Sequence, residues 1–361
     1  MKILLVSHPP LTAELGAAQI ALHLAAALRA RGHAAAAWSP EPLPPGVRWW
    51  NLWKRQREAM ERYAAENGPF DAIDTPAISA SAALARSGPL VVRSVQPELL
   101  YLRQDVRADL ARRFPPSPRS LAHAALAVPR ARAIVDGWRR ARLILCLGSL
   151  ELDQMRLRYP DQGARLASYV CAPSTEDRAM LAEVRRARVR RPESEGVRFL
   201  WIGRWAAHKG TRTLARWIES RARSSPRDSF TIAGCGPWAE RELGADWLRA
   251  HRVRLIPSFP RSELPSLLAT HDAGVFTSTV EGWGLSLNEM LETGLPVFAT
   301  EAGAVADLRP FFPDSLKPFP PPGRFAPPAL EDLEANGYLA RFTWDAVAQG
   351  YEEALWAAGL R

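Results

Sequence analysis

The chain has 361 residues, of which 47% are hydrophobic and 24% charged. That length exceeds one ordinary hydrophobic core, so two domains are expected, and the composition excludes a disordered chain. The formal net charge of +9 is unevenly placed: residues 1–190 hold 28 Lys and Arg against 17 Asp and Glu, and the remainder 19 against 21.

In chain order, "KILLVS" (2–7) has the continuous apolar run of a buried strand and leads into a helix over 14–33 stopped by Gly32. "AAAAW" (34–38) is a second strand, and "NLWKRQREAMERYAAENG" a helix with a basic face. Strands follow at "DAIDT" (71–75), "PLVVRSV" (89–95), "RLILCLG" (142–148) and "LASYV" (166–170). The charged stretch 185–196 is expected to link two domains, after which the alternation restarts. Strands are expected at 197–203, 229–234, 253–258, 273–279 and 296–300. Helices are expected between them, at 211–224, in "ELGADWLRAH", in "SELPSLLATH" and at 286–294. A proline-rich segment (310–328) leads to a terminal helix in "TWDAVAQGYEEALWAAG". This β-α-β order predicts an α/β protein with two doubly wound parallel sheets, whose ligands sit beyond the carboxyl ends of the strands.

"MKILLVSHPP" lacks the long apolar core and cleavage site of a signal peptide. No apolar run reaches the roughly 20 residues of a membrane-spanning helix. Cys146, Cys171 and Cys235 fit no ligand or redox spacing and are expected as buried thiols in a reducing compartment, so a cytoplasmic protein is expected. The basic excess lies in "RADLARRFPPSPR", "PRARAIVDGWRRAR" and "RRARVRR". It suits an anionic membrane surface or an acidic substrate, with a peripheral position at the inner face of a membrane. A solvated arginine-rich surface is the plain alternative, since only four of the 47 basic residues are lysine. Nothing resembles a nucleic-acid-binding module, and no nucleic acid partner is expected.

Four stretches carry chemistry. In "WIGRWAAHKGT", Arg204 and Lys209 follow a strand and precede a helix, where two cations could clamp a diphosphate; ordinary surface charge explains them as well. "TIAGCGPW" is too short for a dinucleotide fingerprint, and Pro237 can simply begin a helix. Gly16 in "AELGAAQ" permits close approach of a ligand or merely makes a turn. "TSTVEGWGLSLNEM" is the strongest signal: the backbone of Gly282, Trp283, Gly284, Leu285 and Ser286 opens a helix and could face an anion. Glu281 precedes the turn and Glu289 lies one turn in. Ser286 and Glu289 also have capping-box spacing, so Glu289 is expected both to cap the helix and to face the ligand. No His pair has metal-ligand spacing, so no metal is expected, and no Gly-x-Ser-x-Gly elbow is present.

Together "GRWAAHKG", "IAGCGP" and "EGWGLSLNE", each after a strand, resemble the retaining GT-B glycosyltransferases, specifically glycosyltransferase family 4. The likeness extends to "DAIDTPA", "VVR" and "FTWDAVAQGYEEAL". It implies a GT-B fold: two Rossmann-like domains facing each other across a cleft, with the terminal helix crossing back to the first. The expected division is 1–190, 191–335 and a terminal segment 336–361 packed on the first domain. Arg204 and Lys209 would bind the donor diphosphate, Glu289 the ribose, and Glu281 with the "GWGL" backbone the transferred sugar. The base would lie by "PSFP", near Phe259. The implied reaction is metal-independent front-face transfer from a nucleotide sugar, a co-substrate and not a cofactor, to a glycan, lipid-linked or small-molecule acceptor. Two departures stand out: Val95 or Gln96 replaces a usual histidine, and the usual glycine pair is Gly16-Ala17. They raise the alternative of a catalytically silent nucleotide-sugar-binding partner of another transferase.

Overall fold

The computed structural model describes residues 1–12, 16–43, 46–111, 114–189, 195–324 and 326–361. Among the described residues twelve strands form two six-stranded parallel sheets. The first holds β1 (Lys2–Val6), β2 (Ala34–Trp38), β3 (Ala72–Thr75), β4 (Leu90–Arg93), β5 (Leu143–Leu147) and β6 (Leu166–Tyr169), in the order β2-β1-β3-β4-β5-β6. The second holds β7 (Arg198–Ile202), β8 (Ser229–Ala233), β9 (Val253–Ile256), β10 (Ala273–Phe276), β11 (Val297–Ala299) and β12 (Leu316–Pro318), in the order β12-β11-β10-β7-β8-β9. Strand order therefore reverses between β1 and β3 in one sheet, and between β7 and β10 in the other. Such switch points leave a crevice beyond the strand ends.

The strands form where the sequence is apolar on both faces, as a parallel sheet covered by helices requires. Ile3, Leu4 and Leu5 of β1 are fully buried, each worth about 1.5–3 kcal/mol relative to exposure. In the second sheet Phe199 lies opposite Phe230, and Trp201 opposite Ile232.

The chain divides into two units, Met1–Ala172 with Arg341–Arg361, and Pro173–Ala340. The first boundary falls earlier than the expected 190, because helix Thr175–Ala187 packs on helices Leu264–Ala269 and Leu285–Glu292 of the second unit. Arg178 pairs with Glu292 at 3.0 Å, and Arg188 donates to the carbonyl of Leu268 at 3.0 Å and to that of His271 at 3.1 Å. Residues 190–194 of the expected linker lie outside the described residues.

The terminal helix Trp344–Ala357 completes the first unit, capped by Thr343, whose hydroxyl accepts from Ala346 N at 3.1 Å. Its Tyr351 donates to Asp74 Oδ2 at 2.9 Å, and Arg93 Nε lies 2.9 Å from both oxygens of Asp74. All three side chains are buried, and burial pushes the Asp74 carboxyl up while Arg93 pulls it down. Glu352 of the same helix accepts from Arg31 at 2.7 Å and meets His33 Nε2 at 2.6 Å.

Several elements differ from expectation. Helices Glu98–Leu110 and Pro118–Arg140 fill a stretch for which no element is expected. The helix expected in "ELGADWLRAH" is broken at Gly244, giving Trp238–Leu243 and Ala245–Ala250. The proline-rich segment contributes β12 as an edge strand, where proline costs no ladder bond on the open side. The three cysteines are buried thiols.

Candidate functional site

The four loops that leave the carboxyl ends of β7, β8, β9 and β10, with helix Leu285–Glu292 that follows the last of them, carry every candidate residue of the second unit. Arg204 and Lys209 follow β7, Gly234 and Gly236 follow β8, Phe259 follows β9, and Glu281 to Gly284 follow β10. Since β7 and β10 are neighbours at the switch point, the two richest loops meet there.

Their closeness has a backbone cause. Thr277, just past β10, accepts from Trp201 Nε1 at 3.0 Å and donates to Lys209 O at 2.9 Å. His208 O accepts from Thr279 N at 2.8 Å. Gly210 has φ +69°, and a Cβ there would stand 1.8 Å from Thr277 O. Only glycine lets the β7 loop press against the β10 strand end in this left-handed turn.

Lys209 Nζ forms an ion pair with Glu281 Oε2, in surroundings that leave the two side chains only 16% and 13% exposed. The same oxygen accepts from Ser278 Oγ at 2.9 Å, and Glu281 Oε1 accepts from Gly282 N at 3.3 Å. The Glu281 carboxylate thus has three donors. Arg204 is exposed on the same loop as Lys209. Burial lowers the His208 pKa to about 4, Lys209 and Arg204 add to that, and Glu281 opposes them. The imidazole is therefore neutral at pH 7.

Gly284, with φ +86°, is the N-cap of helix Leu285–Glu292 and supplies no side-chain cap. The first N–H groups of a helix have no acceptor within it and carry the positive end of its dipole. Those of Leu285 and Ser286 are of this kind, so an anion at this end would meet donors and favourable charge.

The capping box expected between Ser286 and Glu289 is not formed. With Gly284 as N-cap, Ser286 already lies inside the helix, and Glu289 is taken up elsewhere. Arg261, from the loop after β9, reaches Glu289 Oε1 at 2.6 Å and Asp177 Oδ2 at 2.9 Å. Burial raises the Glu289 pKa, and Arg261 opposes the rise. Arg261 and Asp177 are functional neighbours that pattern reading missed, because they are 28 and 112 residues from Glu289 in sequence.

Trp283 is buried, and its indole N–H donates to Asn288 Oδ1 at 2.7 Å. A chain of bonds continues from Asn288 Nδ2 to Tyr338 Oη at 2.8 Å and from Tyr338 Oη to Glu292 Oε1 at 2.6 Å. The Trp283 carbonyl accepts from Ala304 N at 2.9 Å, where Gly303 presses so close that a Cβ would lie 2.6 Å from that oxygen. Of the "GWGL" stretch, then, the tryptophan ring anchors the turn and only the backbone is left for a ligand. Phe259 is half-buried against Gly234, where an added Cβ would lie 3.7 Å from its ring.

Gly16 belongs to the first unit, is exposed, and starts helix Gly16–Ala30; residues 13–15 before it lie outside the described residues. Val95 and Gln96 are half-buried after β4. Among the described residues no group of three His, Cys, Asp or Glu side chains could hold a metal ion.

The family model of the glycosyl transferases group 1 matches residues 196–310, which contain the four loops. Over 122 residues the chain is 30% identical to the glycogen synthase of Mycobacterium tuberculosis, covering 33% of this chain and 29% of that protein. The match thus spans under a third of the relative's length. Among solved structures, sucrose-phosphate synthase from Thermosynechococcus elongatus superposes with a TM-score of 0.63 at 16% identity, over 99% of this chain and 94% of that one. The catalytic domain of starch synthase IV from Arabidopsis thaliana, bound to ADP and acarbose, gives 0.60 at 13% identity, over 99% of both chains. The chain has the GT-B fold.

Proposed function

We propose that the protein is a glycosyltransferase that moves a sugar from a nucleotide-sugar donor to an acceptor hydroxyl, with retention at the anomeric carbon and without a metal ion. The observation that carries the reading is the Lys209–Glu281 pair at the switch point, beside the uncapped helix start at Gly284. The group 1 match over 196–310 and the ADP held by a structure of the same fold support it.

In this reading Arg204 and Lys209 neutralise the donor diphosphate together with the N–H groups at Gly284, Leu285 and Ser286. Glu289 turns from Arg261 to the ribose, and the base stacks near Phe259. Glu281 holds the Lys209 ammonium where negative charge grows on the leaving phosphate. The bond from the anomeric carbon to the diphosphate oxygen breaks, and the acceptor oxygen bonds to that carbon on the same face. The acceptor proton passes to the departing phosphate oxygen, and a nucleoside diphosphate leaves. Fixed positive charge on the leaving group is then the main source of acceleration. The acceptor is a glycan, a lipid-linked sugar or a small molecule carrying a nucleophilic hydroxyl.

The test is thermal unfolding with UDP, GDP, ADP and dTDP, each about 100-fold above its dissociation constant, where binding adds about 2.7 kcal/mol. A rise of several degrees with one base identifies the donor; the corresponding nucleotide sugars are then screened for transfer, and the product anomer is read by NMR. No rise with any of the four sinks the reading.

A further inference from the structure

The basic excess of the sequence is concentrated in the first unit, which holds 25 basic residues against 17 acidic, while the second holds 22 against 21. Much of it lies in residues 98–140, with nine arginines against four carboxylates. This is the stretch of helices Glu98–Leu110 and Pro118–Arg140.

The longer helix is laid on the core by one face. Ala127, Ile134 and Trp138 are buried, and Gly137 sits so close to the Ala77 carbonyl that a Cβ would lie 2.0 Å from its oxygen. The opposite face is apolar yet open. Leu121 and Val128 are 55% and 49% exposed, and Phe114, just before the helix, is 95% exposed. Leu121, Ala125 and Val128 follow one another at steps of four and three, which puts them in one stripe. Beyond the stripe the same face turns basic, with Arg132 and Arg139 exposed, and the neighbouring helix adds exposed Arg103 and Arg107. Of the four acids, Asp105 and Asp109 face His123 at 3.4 and 3.2 Å, and Asp136 pairs with Arg139 at 3.3 Å.

We propose that this face is a docking surface for an anionic lipid bilayer. An apolar stripe flanked by arginines has the character of a helix that lies in a membrane interface. Phe114, Leu121 and Val128 would enter the headgroup boundary while the arginines meet lipid phosphates and carboxylates. Charge decides the occupant. A second copy of the chain would bring one arginine cluster against another, and a nucleic acid would leave the apolar stripe without a partner. Among the described residues no helix is long and apolar enough to cross a membrane.

The experiment is flotation of the whole chain with phosphatidylcholine vesicles, with and without 30% phosphatidylglycerol. Binding is expected only with the anionic lipid and is weakened in 0.5 M salt, because exposed charges are then screened. The triple variant F114S/L121S/V128S and the double variant R132E/R139E should each lose binding at least tenfold with unchanged melting temperatures, since all five side chains are at the surface. Absence of flotation with anionic vesicles overturns the proposal, as does full binding by both variants. Light scattering without lipid supplies the remaining arm. A dimeric wild type and a monomeric triple variant would assign the stripe to a second copy instead.

Discussion

Arg261 Nη2 stands 2.6 Å from Glu289 Oε1, so a guanidinium from the loop after β9 holds the buried carboxylate of the β10 loop's helix. Asp177 shares the same arginine, and the three side chains tie two helices and one loop together. Arg261→Ala leaves two carboxylates without their cation and is expected to lower stability by roughly 1–3 kcal/mol, read from the urea midpoint. Glu289→Ala, if that carboxylate accepts from ribose, abolishes the nucleotide-induced rise in melting temperature. A full rise in Glu289→Ala would remove the ribose role.

Lys209 and Glu281 hold each other in place, and each is expected to matter more for turnover than for folding. Lys209→Ala should lower kcat by roughly 100- to 1,000-fold, the scale of losing one preorganised charge on a developing anion. Glu281→Gln keeps one acceptor oxygen, which can hold the bond from Gly282 N while its amide N–H can donate to Ser278 Oγ, but loses the charge that orients Lys209. A smaller loss of kcat than in Lys209→Ala is expected, with an unchanged melting temperature. Unaltered turnover in both variants would remove this pair from the mechanism.

Gly210→Ala puts a methyl 1.8 Å from the Thr277 carbonyl and asks alanine to take φ +69°. The left-handed backbone alone costs roughly 1–2 kcal/mol, and the clash displaces the loop that carries Lys209. Both a lower melting temperature and a loss of kcat are expected. The chemically similar Gly163→Ala, with nothing within 4 Å of its Cβ, is the control and should change neither.

Glu151 is buried in the first unit, where its oxygens accept from Ser94 Oγ and Leu147 N, both at 2.7 Å. Burial pushes its pKa from 4.5 up to about 7, with neighbouring Glu98 adding to the rise. A raised carboxylate binds its proton more tightly in the folded chain, so its stabilisation is full below pH 4.5 and is lost as pH rises towards 7. Glu151→Gln removes that dependence. Between pH 5 and 7 the stability of the wild type, minus that of the variant, should fall by up to about 1.4 kcal/mol per pH unit. A difference independent of pH would contradict the shifted pKa.

Much of the fold was legible because parallel strands buried on both faces leave unbroken apolar runs, as in "KILLVS" and "RLILCLG". β12 was not, because an edge strand tolerates the prolines that otherwise argue against a strand. Helix Pro118–Arg140 was hidden by its own composition: alanines and arginines on an open apolar face give little contrast between core and solvent sides. At the site, Arg204, Lys209 and Glu281 could be picked out one by one from cations and carboxylates at strand ends. Their pairing could not, since Thr277 and Gly210 set it through backbone contacts between distant loops. The capping-box reading of Ser286 and Glu289 failed on one residue: glycine in a left-handed turn began the helix earlier than the serine.

The terminal helix has a consequence for the order in which the chain can fold. Tyr351 and Glu352 secure Asp74 and Arg31 in a unit whose six strands are made first, and the whole of Pro173–Ala340 is synthesised in between. On the ribosome the second unit emerges in one uninterrupted piece and can settle as it appears. The first must wait with its buried Asp74–Arg93 pair incomplete until residues 344–357 have left the exit tunnel. For this chain, the half that is translated first is the half that is finished last.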